Sequence, residues 1–214
     1  MNKIFKQKKS KSFIYDVQKN KKIDYDVIHK KNILFSKLID KKKKSVILIA
    51  ENSIDFLVSY YCLIQNNFLV ILVGSNISEK KLENLIYNFK PNFVNFPKNF
   101  NFKIFQTKKI FSSFFDYNLF LLSSNIANLH KNICLLLPTS GSTGESKFVK
   151  LTYKNIISNV KKIVKFLDIK SKDITITTLP PEYSYGLSII NSHLFINGSI
   201  IMNKKSVIEE NFWK

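Results

Sequence analysis

The residues best suited to chemistry stand together in Pro138-Thr-Ser-Gly-Ser-Thr-Gly-Glu-Ser-Lys147. Gly141 and Gly144 let a backbone bend and approach a ligand closely. The hydroxyls of Thr139, Ser140, Ser142 and Thr143 supply hydrogen-bond donors beside the backbone N–H groups, and Lys147 adds a positive charge. Such a set suits the oxygens of a polyphosphate. Its spacing is not that of the GxxxxGK[ST] phosphate loop, which would put Gly at Ser146 and a hydroxyl at Phe148. It is not the dinucleotide fingerprint either. The plain alternative is a Ser/Thr/Gly turn that only joins a strand to a helix. Against it stand the successive hydroxyl and glycine positions with Lys147 at their end. Other reactive side chains are scattered: Cys62 and Cys134 read as two buried thiols, not a disulfide or metal pair. His29, His130 and His193 read as packing or surface groups.

The flanking elements must hold that loop in place. Ile133–Leu137 is a short apolar run that reads as a buried strand entering it, and Tyr153–Leu167 has the spacing of an amphipathic helix leaving it. Upstream, Tyr25–Asp40 has helical spacing, and Ser45–Ala50 and Phe68–Val73 read as buried parallel strands. Helices are expected over Ile54–Gln65, capped by Asn52-Ser53, and over Ser78–Phe89, ended by Pro91. Asn92–Phe96 reads as a further strand, Phe100–Leu122 has no clear period, Ile174–Leu179 reads as a strand and Gly186–Asn197 as a helix. This alternation predicts an α/β fold with a doubly wound, flavodoxin-like parallel sheet. Residues 1–22 read as a basic lead-in and residues 23–214 as the folded unit.

Composition limits the function classes. The chain has 214 residues, 45% of them hydrophobic, enough to bury a core. No run of about eighteen apolar residues is present to span a bilayer, and the Lys-rich start has no apolar signal-peptide core. These readings place the chain in the cytoplasm. The formal charge is +19, and all 34 basic residues are Lys. Specific base reading favours the planar fork of Arg, so a nucleic-acid partner is not expected, and the charge reads as a solvated surface.

Thr139-Ser-Gly-Ser-Thr-Gly144, followed after two residues by Lys147, resembles the signature phosphate loop of the adenylate-forming superfamily, which includes acyl-CoA synthetases and the adenylation domains of peptide synthetases. Thr152-Tyr-Lys-Asn155 is similar to that family's Thr-His-x-Asn element. Leu179-Pro-Pro-Glu-Tyr-Ser-Tyr-Gly-Leu187 resembles its Leu-Pro-x-x-His-x-x-Gly-Leu motif, with Tyr183 where the family has His. Ser146 and Phe148 depart from the family's Pro and Gly, and Phe148 is expected to crowd the end of the loop. The resemblance implies ATP-dependent activation of a small-molecule carboxylic acid as an acyl-adenylate, then transfer to CoA or a phosphopantetheine thiol. It implies that Thr139, Ser140, Gly141, Ser142, Thr143, Gly144 and Lys147 hold the ATP phosphates. It also implies that Thr143 stands near Mg²⁺, and that Tyr183, Ser184, Tyr185 and Gly186 line the acid pocket. The family's acidic Mg²⁺ ligand and its lid lysine belong to motifs not found in these residues. The expectation is therefore a truncated, N-terminal part of the ligase domain with no complete catalytic set, served by a second chain or an acyl-carrier protein. A nucleotide-binding pseudoenzyme and a basic surface-binding protein are the alternatives.

Overall fold

The structure, a computed structural model, describes residues 4–5, 11–40, 42–100, 102–105, 110–123, 129–139 and 147–213. Ser45–Ala50 (β3) is buried at every position, and its side chains alternate between two cores. Val46, Leu48 and Ala50 join one core, while Ile47 and Ile49 join the other. Such a strand must lie inside a sheet covered on both faces. It pairs in parallel with Leu69–Gly74 (β4) and with Phe93–Pro97 (β5), and β4 pairs in parallel with Ile133–Pro138 (β8).

Antiparallel strands finish both edges. Ile110–Phe114 (β6) and Tyr117–Leu121 (β7) form a hairpin beside β5, and Phe148–Thr152 (β9) lies beside β8. The seven-stranded order is β6-β7-β5-β3-β4-β8-β9.

Helix α3 (Glu79–Phe89) covers one face, where Leu82, Leu85, Ile86 and Phe89 meet Ile47, Ile49 and Ile71. On the other face lie α1 (Tyr25–Leu38), α2 (Ile54–Gln65), α4 (Tyr153–Phe166) and α5 (Ser184–Ile196). Beyond these helices a second sheet, ordered β10-β11-β1-β2, turns Ile14, Ile200 and Met202 into the same core. It is built from Phe13–Asp16 (β1), Lys21–Asp24 (β2), Ile174–Thr177 (β10) and Ser199–Met202 (β11). Sandwiched between two sheets, α2 is buried along its whole length. Tyrosine hydroxyls brace the layers: Tyr60 donates to Asn191 Oδ1 at 3.0 Å, Tyr117 to the Ile49 carbonyl at 3.1 Å, and Tyr25 to the Gly198 carbonyl at 2.7 Å.

The expected helices and central strands are present within two residues of their boundaries, and the strand expected over Ile174–Leu179 ends at Thr177. Residues 13–22 are not a lead-in: they form β1 and the start of β2, and Ile14 pairs with Ile200. The stretch without a period, 100–122, holds a 3-10 turn and the β6–β7 hairpin, whose register shift between Ile110 and Ser112 breaks any two-residue pattern. Both cysteines are free and buried, and burial pushes the Cys134 thiol up to about 12, as suits an inert side chain.

Burial holds the imidazoles of His29 and His193 below the ordinary histidine range; Asp26 opposes this at the first, and the Ile189 carbonyl and Asp173 at the second. Unfolding returns both to about 6.5. The unfolded chain then binds more protons, so stability falls as pH drops from about 6.5 toward the folded values. The urea midpoint should be lower near pH 5.5 than near pH 7.5, and His193→Gln should shrink the difference. An equal drop in that variant would count against His193.

Candidate active site at the tips of β4 and β8

The glycine-rich segment is pinched at its base. Pro138 pairs with Phe148, and Thr139 donates its N–H (2.8 Å) and its hydroxyl (3.3 Å) to the Lys147 carbonyl. Ser140, Gly141, Ser142, Thr143 and Gly144 lie outside the described residues. The chain therefore leaves the loop through β9 and not directly into a helix, as the sequence led us to expect. The N-terminus of α4 is occupied by its own capping box, in which the Thr152 hydroxyl accepts from Asn155 N–H at 3.1 Å and Asn155 Oδ1 accepts from Thr152 N–H at 2.9 Å. Lys147, at the far end of the loop, is exposed. Phe148 was expected to crowd the end of the loop, whose residues 140–146 lie outside the described residues. Its ring packs edge-on against Phe89 of α3 at 5.2 Å, filling the space beside the last turn of that helix.

The second motif forms the entry to α5. Gly186 is required there by close approach: a Cβ would lie 2.5 Å from the Pro180 carbonyl oxygen and 2.8 Å from that of Leu179. Asn52, just after β3, fixes the same turn by donating to the Leu179 carbonyl at 3.2 Å. Tyr183 stands at the helix N-cap without a side-chain capping bond, and it and Tyr185 are 55% and 66% exposed. Ordinary aromatic core packing does not account for either.

The start of α5 divides two cavities. One, of about 680 Å³, opens at the tips of β4 and β8 and is lined by Gly74, Lys81, Thr139, Phe148, Glu182 and Tyr183 among others. The other, of about 410 Å³, runs between β8, α4 and α5, where Ser184 and Tyr185 meet Leu135 and Leu137. The first cavity sits outside the carboxyl ends of β4 and β8, and the helices that follow these two strands, α3 and α4, cover opposite faces; open α/β folds place ligands in such a position. Glu182 was not singled out from the sequence. Its Oε1 lies where a Cβ on Gly74 would point (2.5 Å), its Oε2 is buried without a partner, and burial raises its pKa above the ordinary carboxylate range. Gly74 is 108 residues upstream, so no local pattern could have paired them. Among the described residues, no three His, Cys, Asp or Glu side chains gather as a metal site.

A strand–loop–strand turn beside a polar cavity, on a sheet covered by helices on both faces, defines an α/β protein with a cleft at its strand ends. The family model for AMP-binding enzymes matches residues 32–213, and the chain belongs to that family. Its fold is that of the N-terminal domain of adenylate-forming enzymes. It superposes on apo MatB from Rhodopseudomonas palustris with a TM-score of 0.69 at 18% identity, covering 92% of this chain and 42% of that one. It superposes on o-succinylbenzoate CoA synthetase (MenE) from Bacillus subtilis, in complex with the acyl-adenylate OSB-AMP, with a TM-score of 0.71 at 13% identity, covering 92% and 54%. The same enzyme with ATP and magnesium gives 0.71 at 11%, covering 94% and 56%. The chain thus spans about half the length of the enzymes it matches.

Proposed function

We propose that the chain carries the ATP-phosphate and acid-facing half of an acid–thiol ligase. The full reaction joins a carboxylate to the α-phosphate of ATP, releasing pyrophosphate, and then passes the acyl group to a thiol of CoA or of a carrier-protein phosphopantetheine. One observation carries the reading: the N-terminus of α5 sets a polar cavity at the base of the glycine-rich loop beside an apolar cavity along the same strand, β8. A polyphosphate and an acid tail would then meet at the end of that strand. Thr139 to Gly144 and Lys147 would hold the phosphates, and catalysis would rest on positioning and charge stabilisation. Tyr183, exposed between the loop base and the acid side, would border the reacting carboxylate; Gly186 would act by fixing that turn. Mg²⁺ would neutralise phosphate charge. The ion would be held largely by phosphate oxygens, with Thr143 nearby.

These residues by themselves are expected to bind Mg·ATP and to give no ATP–pyrophosphate exchange. Exchange by the chain alone would refute the half-site reading; absence of ATP binding would refute the phosphate assignment. We place the protein in the cytoplasm, in keeping with the lack, among the described residues, of any helix long and apolar enough to cross a membrane.

A partner supplying the rest of the domain would dock at the second sheet. There, among the described residues, β10 is an edge strand, and Ile174, Ile176 and Leu179 are exposed. The isolated chain should therefore associate with itself as its concentration rises, a trend readable by light scattering after gel filtration. A monomer at every concentration would remove the case for a docking partner.

A further inference from the structure

We propose that the acid carries a neutral, apolar tail of medium size, and that acids with a second charge on the tail are excluded. The inference rests on the proposed function and narrows its substrate class. The cavity along β8 has walls of Leu135, Leu137, Leu151, Ile156, Ile163 and Leu187, and among the described residues no charged side chain lines it. Its polar lining is amide and hydroxyl only, and much of that is already engaged. Asn155 Oδ1 accepts from Thr152, Asn191 Oδ1 accepts from Tyr60, and Ser188 donates to the Tyr185 carbonyl at 2.7 Å. A carboxylate or ammonium pushed into this space would lose its water and find no opposite charge, which is far more costly than burying methylene groups is favourable. The volume of about 410 Å³ lies in the lower part of the range of roughly 300–1,000 Å³ typical of small-molecule sites, so one medium chain or a single ring fills it. Direction follows from β8: Leu137 is two residues before Thr139, about 7 Å at strand rise, so the tail lies along the strand with its carboxylate toward the loop.

The test compares octanoate with octanedioate, of equal length with a second carboxylate, by calorimetry on the 214-residue chain with and without Mg·ATP. Asn159 is exposed on the α4 face that borders the cavity, one turn from Ile156 and Ile163, so Asn159→Phe should fill the space while leaving the core intact. Octanoate should bind, octanedioate should bind about 30-fold more weakly or less, and Asn159→Phe should weaken octanoate about tenfold without changing the melting temperature or ATP affinity. Equal binding of the two acids would overturn the proposal. So would octanoate binding unaffected by Asn159→Phe, or no octanoate binding by a chain that binds ATP. Octanoate binding without ATP binding would instead sink the ligase reading and leave an apolar acid site.

Discussion

Lys19→Met should lower the unfolding free energy by about 3 kcal/mol, read from the urea midpoint at constant slope. Lys19 lies in the turn between β1 and β2. Its ammonium reaches Asp55 in the first turn of α2 at 2.5 Å and Asp116 in the β6–β7 turn at 2.6 Å, so one side chain ties the small sheet, a buried helix and the edge of the large sheet. Burial works against its charge, but the hydrogen bonds and charges of Asp116 and Asp55 outweigh that and raise its pKa; in return Lys19 pulls Asp116 below the ordinary carboxylate range. The Asp55 side chain is only 1% exposed, so losing the ammonium leaves a buried carboxylate with one long bond, from Asp116 N–H at 3.4 Å. Breaking a buried pair costs about 3–5 kcal/mol, and the lower end applies because Lys19 is itself one-third exposed. Adding Asp55→Asn should restore part of the loss by removing the stranded charge. A cost below about 1 kcal/mol would mean that the pair acts as an ordinary surface bridge.

Gly186→Ala should also destabilise, by about 3 kcal/mol, although the change favours a helix by about 1 kcal/mol on propensity alone. The two terms have opposite signs, so the direction of the result decides between them. The new Cβ would meet two backbone oxygens, of Pro180 at 2.5 Å and of Leu179 at 2.8 Å, and neither can rotate away as a side chain would. Relief would require the Leu179–Tyr183 turn to move. That would shift Glu182 and Tyr183 in one cavity and Tyr185 in the other. A variant as stable as the parent, or more so, would show that the turn is slack and that it does not fix the two cavities.

The sequence made the β3-to-β5 core legible because strands buried on both faces are unbroken apolar runs, and because the helices between them carry their own caps at Ser53 and Ser78. The second sheet was not legible. Ile14 pairs with Ile200 and Ile174 with Ser199, and strands of four residues bearing Lys21 and Lys22 carry no local sign of such distant partners. The glycine-rich loop stood out by composition, yet Phe148–Thr152 gave no warning of a strand, since five half-exposed residues running into a helix look like its approach. Thr139 and Lys147, at the two ends of the motif, meet at the loop base through the Lys147 carbonyl, a contact the sequence did not announce. What composition could not supply was the division of the site by α5, which sends Tyr183 to one cavity and Tyr185 to the other.

The central claim is that the loop closed by Thr139 and Lys147 holds the phosphates of ATP. The most direct measurement is calorimetric titration of the chain and of Lys147→Ala with Mg·ATP and with adenosine. The account predicts that ATP binds the parent, that adenosine binds far more weakly, and that Lys147→Ala weakens ATP about tenfold or more, about 1.4 kcal/mol, with an unchanged melting temperature. Equal affinity for ATP and adenosine, or ATP binding indifferent to Lys147, would contradict it.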